Sequence, residues 1–94
     1  MSLKLINVLG GTKHKIISTT DGTNEGLITN IRAVNRGVGV QSFRLFANNI
    51  EVMETIVSAG NTNIITTPIN TPMNTEMTIT TDSHLSALVN IDMK

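Results

Sequence analysis

Apolar and polar residues alternate with a period of two over most of the chain. Leu85, Ala87, Val89, Ile91 and Met93 share one phase of the last segment, and Met77 and Ile79 do the same in the segment before it. A period of two puts successive side chains on opposite faces of a strand. No window places apolar residues at helical spacing strongly enough to compete. The alternating segments predict eight strands, over residues 3–9, 13–20, 27–35, 40–47, 50–57, 62–67, 76–81 and 85–93. Turn residues punctuate them: Gly10-Gly11, Asp21-Gly22, the loop with Gly37 and Gly39, Asn48-Asn49, Ala59-Gly60-Asn61 and the Pro68–Asn74 stretch. Strands recurring about every ten to twelve residues have the spacing of sandwiches and small barrels. The expected fold is all-β: a single antiparallel β-sandwich of about eight strands, with the jelly roll among the arrangements it fits.

Threading the middle of the chain through two hairpins assigns faces. With Asn48-Asn49 as one turn, Leu45 faces Val52 and Ala47 faces Ile50. With a loop centred on Val38 as the other, Ile31 faces Leu45 and Ala33 faces Phe43. One face then collects Leu27, Ile31, Ala33, Phe43, Leu45, Ala47, Ile50, Val52 and Ile56, and Glu54 lands among them. A bulge, or a place at the rim, would account for Glu54. The opposite face carries Asn30, Arg32, Ser42, Arg44, Glu51 and Thr55, with Ile28, Val34, Phe46 and Met53 among them. In this register Arg32 lies opposite Arg44, and Glu51 is diagonal to it. The bland reading of that face is a solvated ladder. The sharper one is a docking patch built on Arg32, Arg44, Phe46 and Met53, with Glu51 beside them, since arginine, aromatic and methionine side chains are favoured contact types at interfaces.

Composition sharpens the picture. The 94 residues make one domain, and 14 Thr, 12 Ile and 11 Asn suit strands and turns in place of helices. The core must be aliphatic, because Phe43 and Phe46 are the only aromatics. Seven basic and seven acidic residues cancel, so no long-range field draws in nucleic acid or an anionic membrane. No apolar run approaches the ~20 residues that span a bilayer, and the N-terminus lacks the pattern of a signal peptide. No nucleic-acid or membrane partner is expected. Residues 1–11 read as an apolar strand or arm hinged at Gly10-Gly11 and residues 12–94 as the sandwich domain. Leu3, Leu5, Ile6 and Val8 are the arm's candidate contact residues.

Chemistry for catalysis is thin. Cysteine is absent, which removes disulfides and thiolate metal sites. His14 and His84 are the two histidines, and no ligand spacing joins them. Asp82-Ser83-His84 holds three triad residue types, but neighbours on one turn cannot adopt triad geometry. Gly37-Val38-Gly39 precedes no helix and is no dinucleotide fingerprint. The expectation is a protein that is not an enzyme and needs no cofactor or metal.

From Gly26 the text runs Gly26-Leu27-Ile28-Thr29-Asn30-Ile31-Arg32-Ala33-Val34-Asn35, a glycine loop, then Phe43-Arg44-Leu45-Phe46-Ala47-Asn48-Asn49. Val57-Ser58-Ala59-Gly60-Asn61-Thr62, Thr67-Pro68-Ile69 and Met77-Thr78-Ile79-Thr80-Thr81 follow. Over residues 12–94 this order resembles the small β-sandwich virion proteins of tailed bacteriophages. The resemblance implies a structural virion protein, made in the host bacterial cytoplasm. A capsid decoration (auxiliary head) protein bound to the assembled shell leads, and a tail or fibre component is the alternative. Its partners would be other capsid or tail proteins and further copies of itself. A host-surface or glycan-binding module is a third reading; it would need aromatic platforms, for which Phe43 and Phe46 are the only candidates. A small enzyme or enzyme inhibitor is a fourth, and it would require a pocket of clustered titratable groups.

Overall fold

The computed structural model describes residues 2–19, 25–72 and 74–93, and they form nine strands and no helix. The strands are β1 (Ser2–Val8), β2 (Lys13–Ser18), β3 (Gly26–Asn35), β4 (Gln41–Ala47), β5 (Ile50–Val57), β6 (Thr62–Ile65), β7 (Ile69–Thr71), β8 (Glu76–Thr81) and β9 (Leu85–Met93). Two antiparallel sheets pack into a sandwich: β1-β9-β3-β6, with β7 also on β3, and β2-β8-β4-β5. The all-β sandwich predicted from the alternation is what forms. β7 is the addition. It pairs with β3 beyond the end of β6, so β6 and β7 are two halves of one edge strand interrupted at Pro68. An edge is where a proline's missing N–H does least harm. The predicted turn at Asp21-Gly22 lies outside the described residues.

The pairings have one plan. Ser2 lies opposite Met93, Lys13 opposite Thr80, Gly26 opposite Thr71, Gln41 opposite Val57 and Ala47 opposite Ile50. The chain is thus folded in half at Asn48-Asn49 into one long antiparallel ribbon. That ribbon then wraps, and β9 pairs with β3 and β8 with β4 to close two sheets. A wrapped ribbon of this order is a jelly roll. Its turn has φ of 50° at Asn48 and 67° at Asn49. Positive φ at both central residues is the type I′ geometry whose twist matches the flanking strands.

Two parts of the sequence-based threading are corrected. β3 and β4 do not form a hairpin; they belong to different sheets. Ile31 and Ala33 still meet the same core as Phe43 and Leu45, but across the sandwich instead of along a sheet. Arg32 therefore never lies opposite Arg44: it pairs with Leu88 and Ile64, whereas Arg44 pairs with Glu54 and Thr80. The second correction concerns parity. The β4–β5 register slips between Leu45 and Phe46, whose partners are Met53 and Glu51, so Val52 is an extra residue in β5. One extra residue inverts every later position. Met53 packs against the core and Val57 is buried, while Val52, Glu54 and Ile56 are exposed. A second irregularity between Ile28 and Asn30 buries Ile28 and leaves Leu27 only half-buried.

Among the described residues fifteen hydrophobic side chains form the core, with Phe43, Ile28, Ile31, Leu45, Ile79, Leu85 and Ile91 its largest fully buried members. Buried polar side chains hold the corners. Asn35 is in the β3–β4 corner; its Nδ2 donates to the carbonyls of Gly39 (2.8 Å) and Val57 (2.9 Å), and its Oδ1 accepts from the Gly37 amide (2.8 Å). Thr19 clamps β2 to the β7–β8 connection: its hydroxyl donates to the carbonyl of Pro72 (2.6 Å) and accepts from the amide of Thr75 (3.0 Å). Gly10 lies so close to Ser83 that a Cβ there would stand 2.4 Å from the Ser83 carbonyl oxygen. Gly11, at φ 76°, donates its amide to Thr81 and Asp82. Gly10-Gly11 is a packed corner.

Candidate interaction surface

The strand register sets what each outer face presents. On the five-stranded sheet the row Asn7, Leu88, Arg32, Ile64 crosses β1, β9, β3 and β6. Leu5, Asn90 and Asn30 form the next row, where Asn90 Nδ2 donates to Asn30 Oδ1 at 2.6 Å. Leu5 is 61% and Ile64 54% exposed, and Leu27, Val34 and Leu88 are half-buried in the same sheet. An open hollow of about 210 Å³ is lined by Asn7, Arg32, Val34, Arg36, Ser86, Ala87 and Leu88. Val34, Ala87 and Leu88 give it an aliphatic lining and Arg32 and Arg36 a basic one, with no carboxylate among the lining residues. Arginine beside an apolar surface can make planar, multidentate hydrogen bonds while its stem packs, a combination suited to a protein partner.

The four-stranded sheet presents a different face. Arg44 Nε donates to Glu54 Oε2 at 2.7 Å and lies 3.6 Å from Glu51 Oε1, and Lys15 pairs with Glu76 at 3.5 Å. Glu54, which accepts that hydrogen bond and sits opposite on β5, raises the Arg44 pKa above its ordinary value. Phe46 is half-buried next to Thr78 and Glu51. This face is largely a solvated charge ladder, with Arg44 paired to Glu54 and Glu51 within the chain.

The residues singled out from sequence are thereby distributed over three places. Arg32 and Leu5 are on the five-stranded outer face. Arg44, Phe46 and Glu51 are on the four-stranded outer face, and Met53 points inward. Val8 is fully buried and Ile6 half-buried, so both belong to the interior of the home sandwich. Leu3 is opposite Asp92 in the β1–β9 ladder; its side chain lies outside the described residues. Leu88, Arg36 and Ile64 were missed. The signal for Leu88 is an aliphatic residue in the polar phase of β9, between Ser86 and Asn90.

His14 is on edge strand β2 and His84 in the turn before β9. Asp82 serves that turn: its Oδ2 accepts from the Ser42 amide at 2.8 Å and from the Ser42 hydroxyl at 3.2 Å. Among the described residues no three His, Asp or Glu side chains are grouped so as to hold a metal ion. No family model matches the chain, and no curated protein matches it.

Proposed function

We propose that the protein is a structural component of a tailed-bacteriophage virion, a capsid decoration or auxiliary head protein that docks on the assembled shell. The observation that carries this reading is the outer face of the five-stranded sheet. Leu5 and Ile64 are exposed there, and Leu88 and Val34 half-buried, on the same face as Arg32 and Arg36, on a chain of zero net charge. Exposed aliphatic side chains interleaved with arginines suit a protein-docking surface. The resemblance over residues 12–94 supplies the virion setting.

Co-sedimentation with shells lacking the protein tests the reading. The parent chain should pellet with them. Arg32→Glu should weaken binding by about tenfold or more, the effect of removing an interface anchor, and Arg44→Gln should change it little. A parent chain that binds neither shells nor tails would overturn the reading. Binding to glycans, lost on Phe46→Ala, would replace it with the host-surface module.

A further inference from the structure

Charge is partitioned between the two lateral edges of the sandwich. On one side run β1 and β2, which carry Lys4, Lys13 and Lys15 and no carboxylate. On the other run β5, β6 and β7, which carry Glu51 and Glu54 and no basic residue. The relief is partitioned too. Between β1 and β2 an open seam of about 260 Å³ is lined by Lys4, Ile6, Lys15, Ile16, Ile17 and Ser18. On the opposite edge Ile50, Val52 and Ile56 of β5 stand out, 70%, 52% and 59% exposed.

We propose that copies of this chain join edge to edge, head to tail, with the β5 edge of one copy against the β2 edge and β1–β2 seam of the next. The inference rests on the structural reading above and adds the partner and its geometry. Three observations lead to it. First, strand sense: within each sheet neighbours are antiparallel along the four-strand path, so β2 and β5 run in opposite directions, as do β1 and β6. A second copy placed alongside in the same orientation then continues both sheets with antiparallel pairs. Second, charge: β5 against β5 would set Glu51 and Glu54 against their own kind, and β2 against β2 would do so with Lys13 and Lys15. Like charges directly opposite are unfavourable, and opposite charges favourable. The β5–β2 pairing alone brings acid to base. The ion pairs that Glu54 and Lys15 make at home are exposed and weak enough to be shared. Third, surface: both edges carry apolar side chains that the single copy leaves uncovered, Ile50, Val52 and Ile56 exposed on β5 and Ile6 half-buried in the β1–β2 seam. A contact of this kind is heterologous, and it closes into a ring or runs on as a row according to the rotation per step.

Sedimentation velocity of the full chain over a concentration series, at low and high NaCl, tests the proposal. Oligomers should grow with concentration and recede with salt. Lys13→Glu/Lys15→Glu and Glu51→Lys/Glu54→Lys, each alone, should raise the concentration for half-association by about tenfold or more. An equimolar mixture of the two should associate again, because each then offers the edge the other lacks. Circular dichroism and melting temperature check that both fold, and Glu51→Gln/Glu54→Gln serves in place of the lysine pair if Arg44 destabilises it. A parent chain that stays monomeric throughout, either variant associating as the parent does, or a mixture that stays dispersed would overturn the proposal. Shell co-sedimentation on the same variants separates this from the functional reading. Variants that lose self-association yet still pellet with shells retain docking. A parent that self-associates but never pellets upholds the edges and defeats the docking.

Discussion

A few side chains and glycines decide whether the corners of this sandwich can form. Asn35, itself buried, satisfies two carbonyls and one amide, and its bond to the Val57 carbonyl is buried. Asn35→Ala would leave the Val57 carbonyl without that partner, and a buried group stripped of its partner costs about 1–3 kcal/mol. Chemical denaturation should show a loss of that size, with Asn35→Asp no better because it replaces two donors with acceptors. Gly10→Ala tests packing: its Cβ would collide with the Ser83 backbone, which has no flexible end to yield. The expected loss is about 1–3 kcal/mol by overpacking. Leu45, Ile31 and Val89 are fully buried, and Leu45→Ala or Ile31→Ala should cost about 2–4 kcal/mol. A change under half a kcal/mol at either, measured against the parent, would contradict its burial.

Among the elements, the β4–β5 hairpin is the hinge of the folded ribbon. Its turn holds two asparagines at positive φ, and Asn48 also bonds β8: its Oδ1 accepts from the Glu76 amide at 2.9 Å. Asn49 makes no such bond in this turn, so Asn49→Gly should keep or raise the melting temperature, as Asn-Gly is the favoured pair for type I′. Asn49→Val should lower stability by about 1–3 kcal/mol, because a β-branched residue is strained there. This turn was legible in sequence because its signal is local: two turn formers between two alternating runs. The break at Pro68 and the buried phase of β9 were legible for the same reason. The β3–β4 corner was misread as a hairpin because alternation says which side chains share a core and nothing about whether they reach it within one sheet or across two. The faces of Val52, Ile56 and Leu27 were misplaced because a bulge adds a single residue without changing composition. The docking surface suffered most, since Arg32 and Arg44 look adjacent in a hairpin and lie on opposite outer faces of a sandwich.

At the scale of the whole molecule, the wrapped ribbon makes the chain ends partners. β1 and β9 are joined through seven consecutive residue pairs, from Ser2 with Met93 to Val8 with Ala87. An apolar first strand before a glycine pair reads from sequence either as a strand of its own sandwich or as an arm for a neighbour; in the fold it is the edge strand that covers β9. Val8 is fully buried, and Ile6 packs on the core. A chain beginning at Thr12 would lose the burial of both, strip β9 of one ladder and leave its edge open. Full burial of a valine side chain alone is worth about 1.5–3 kcal/mol, and the total stability of a domain this size is about 5–10 kcal/mol. The shortened chain should therefore lose at least about 3 kcal/mol against the parent in urea, with Val8 and the half-buried Ile6 as the main apolar terms. A synthetic peptide of residues 1–11 should restore part of that loss, because the vacated groove between β9 and the β2 edge is a strand-shaped acceptor and main-chain pairing can be supplied in trans. The rescue should saturate with peptide concentration and fail for a peptide carrying Val8→Asp, which would bury an unpaired charge. If the shortened chain melts with the parent, the first strand contributes nothing to the fold. Its apolar residues would then be free to serve a neighbouring copy instead.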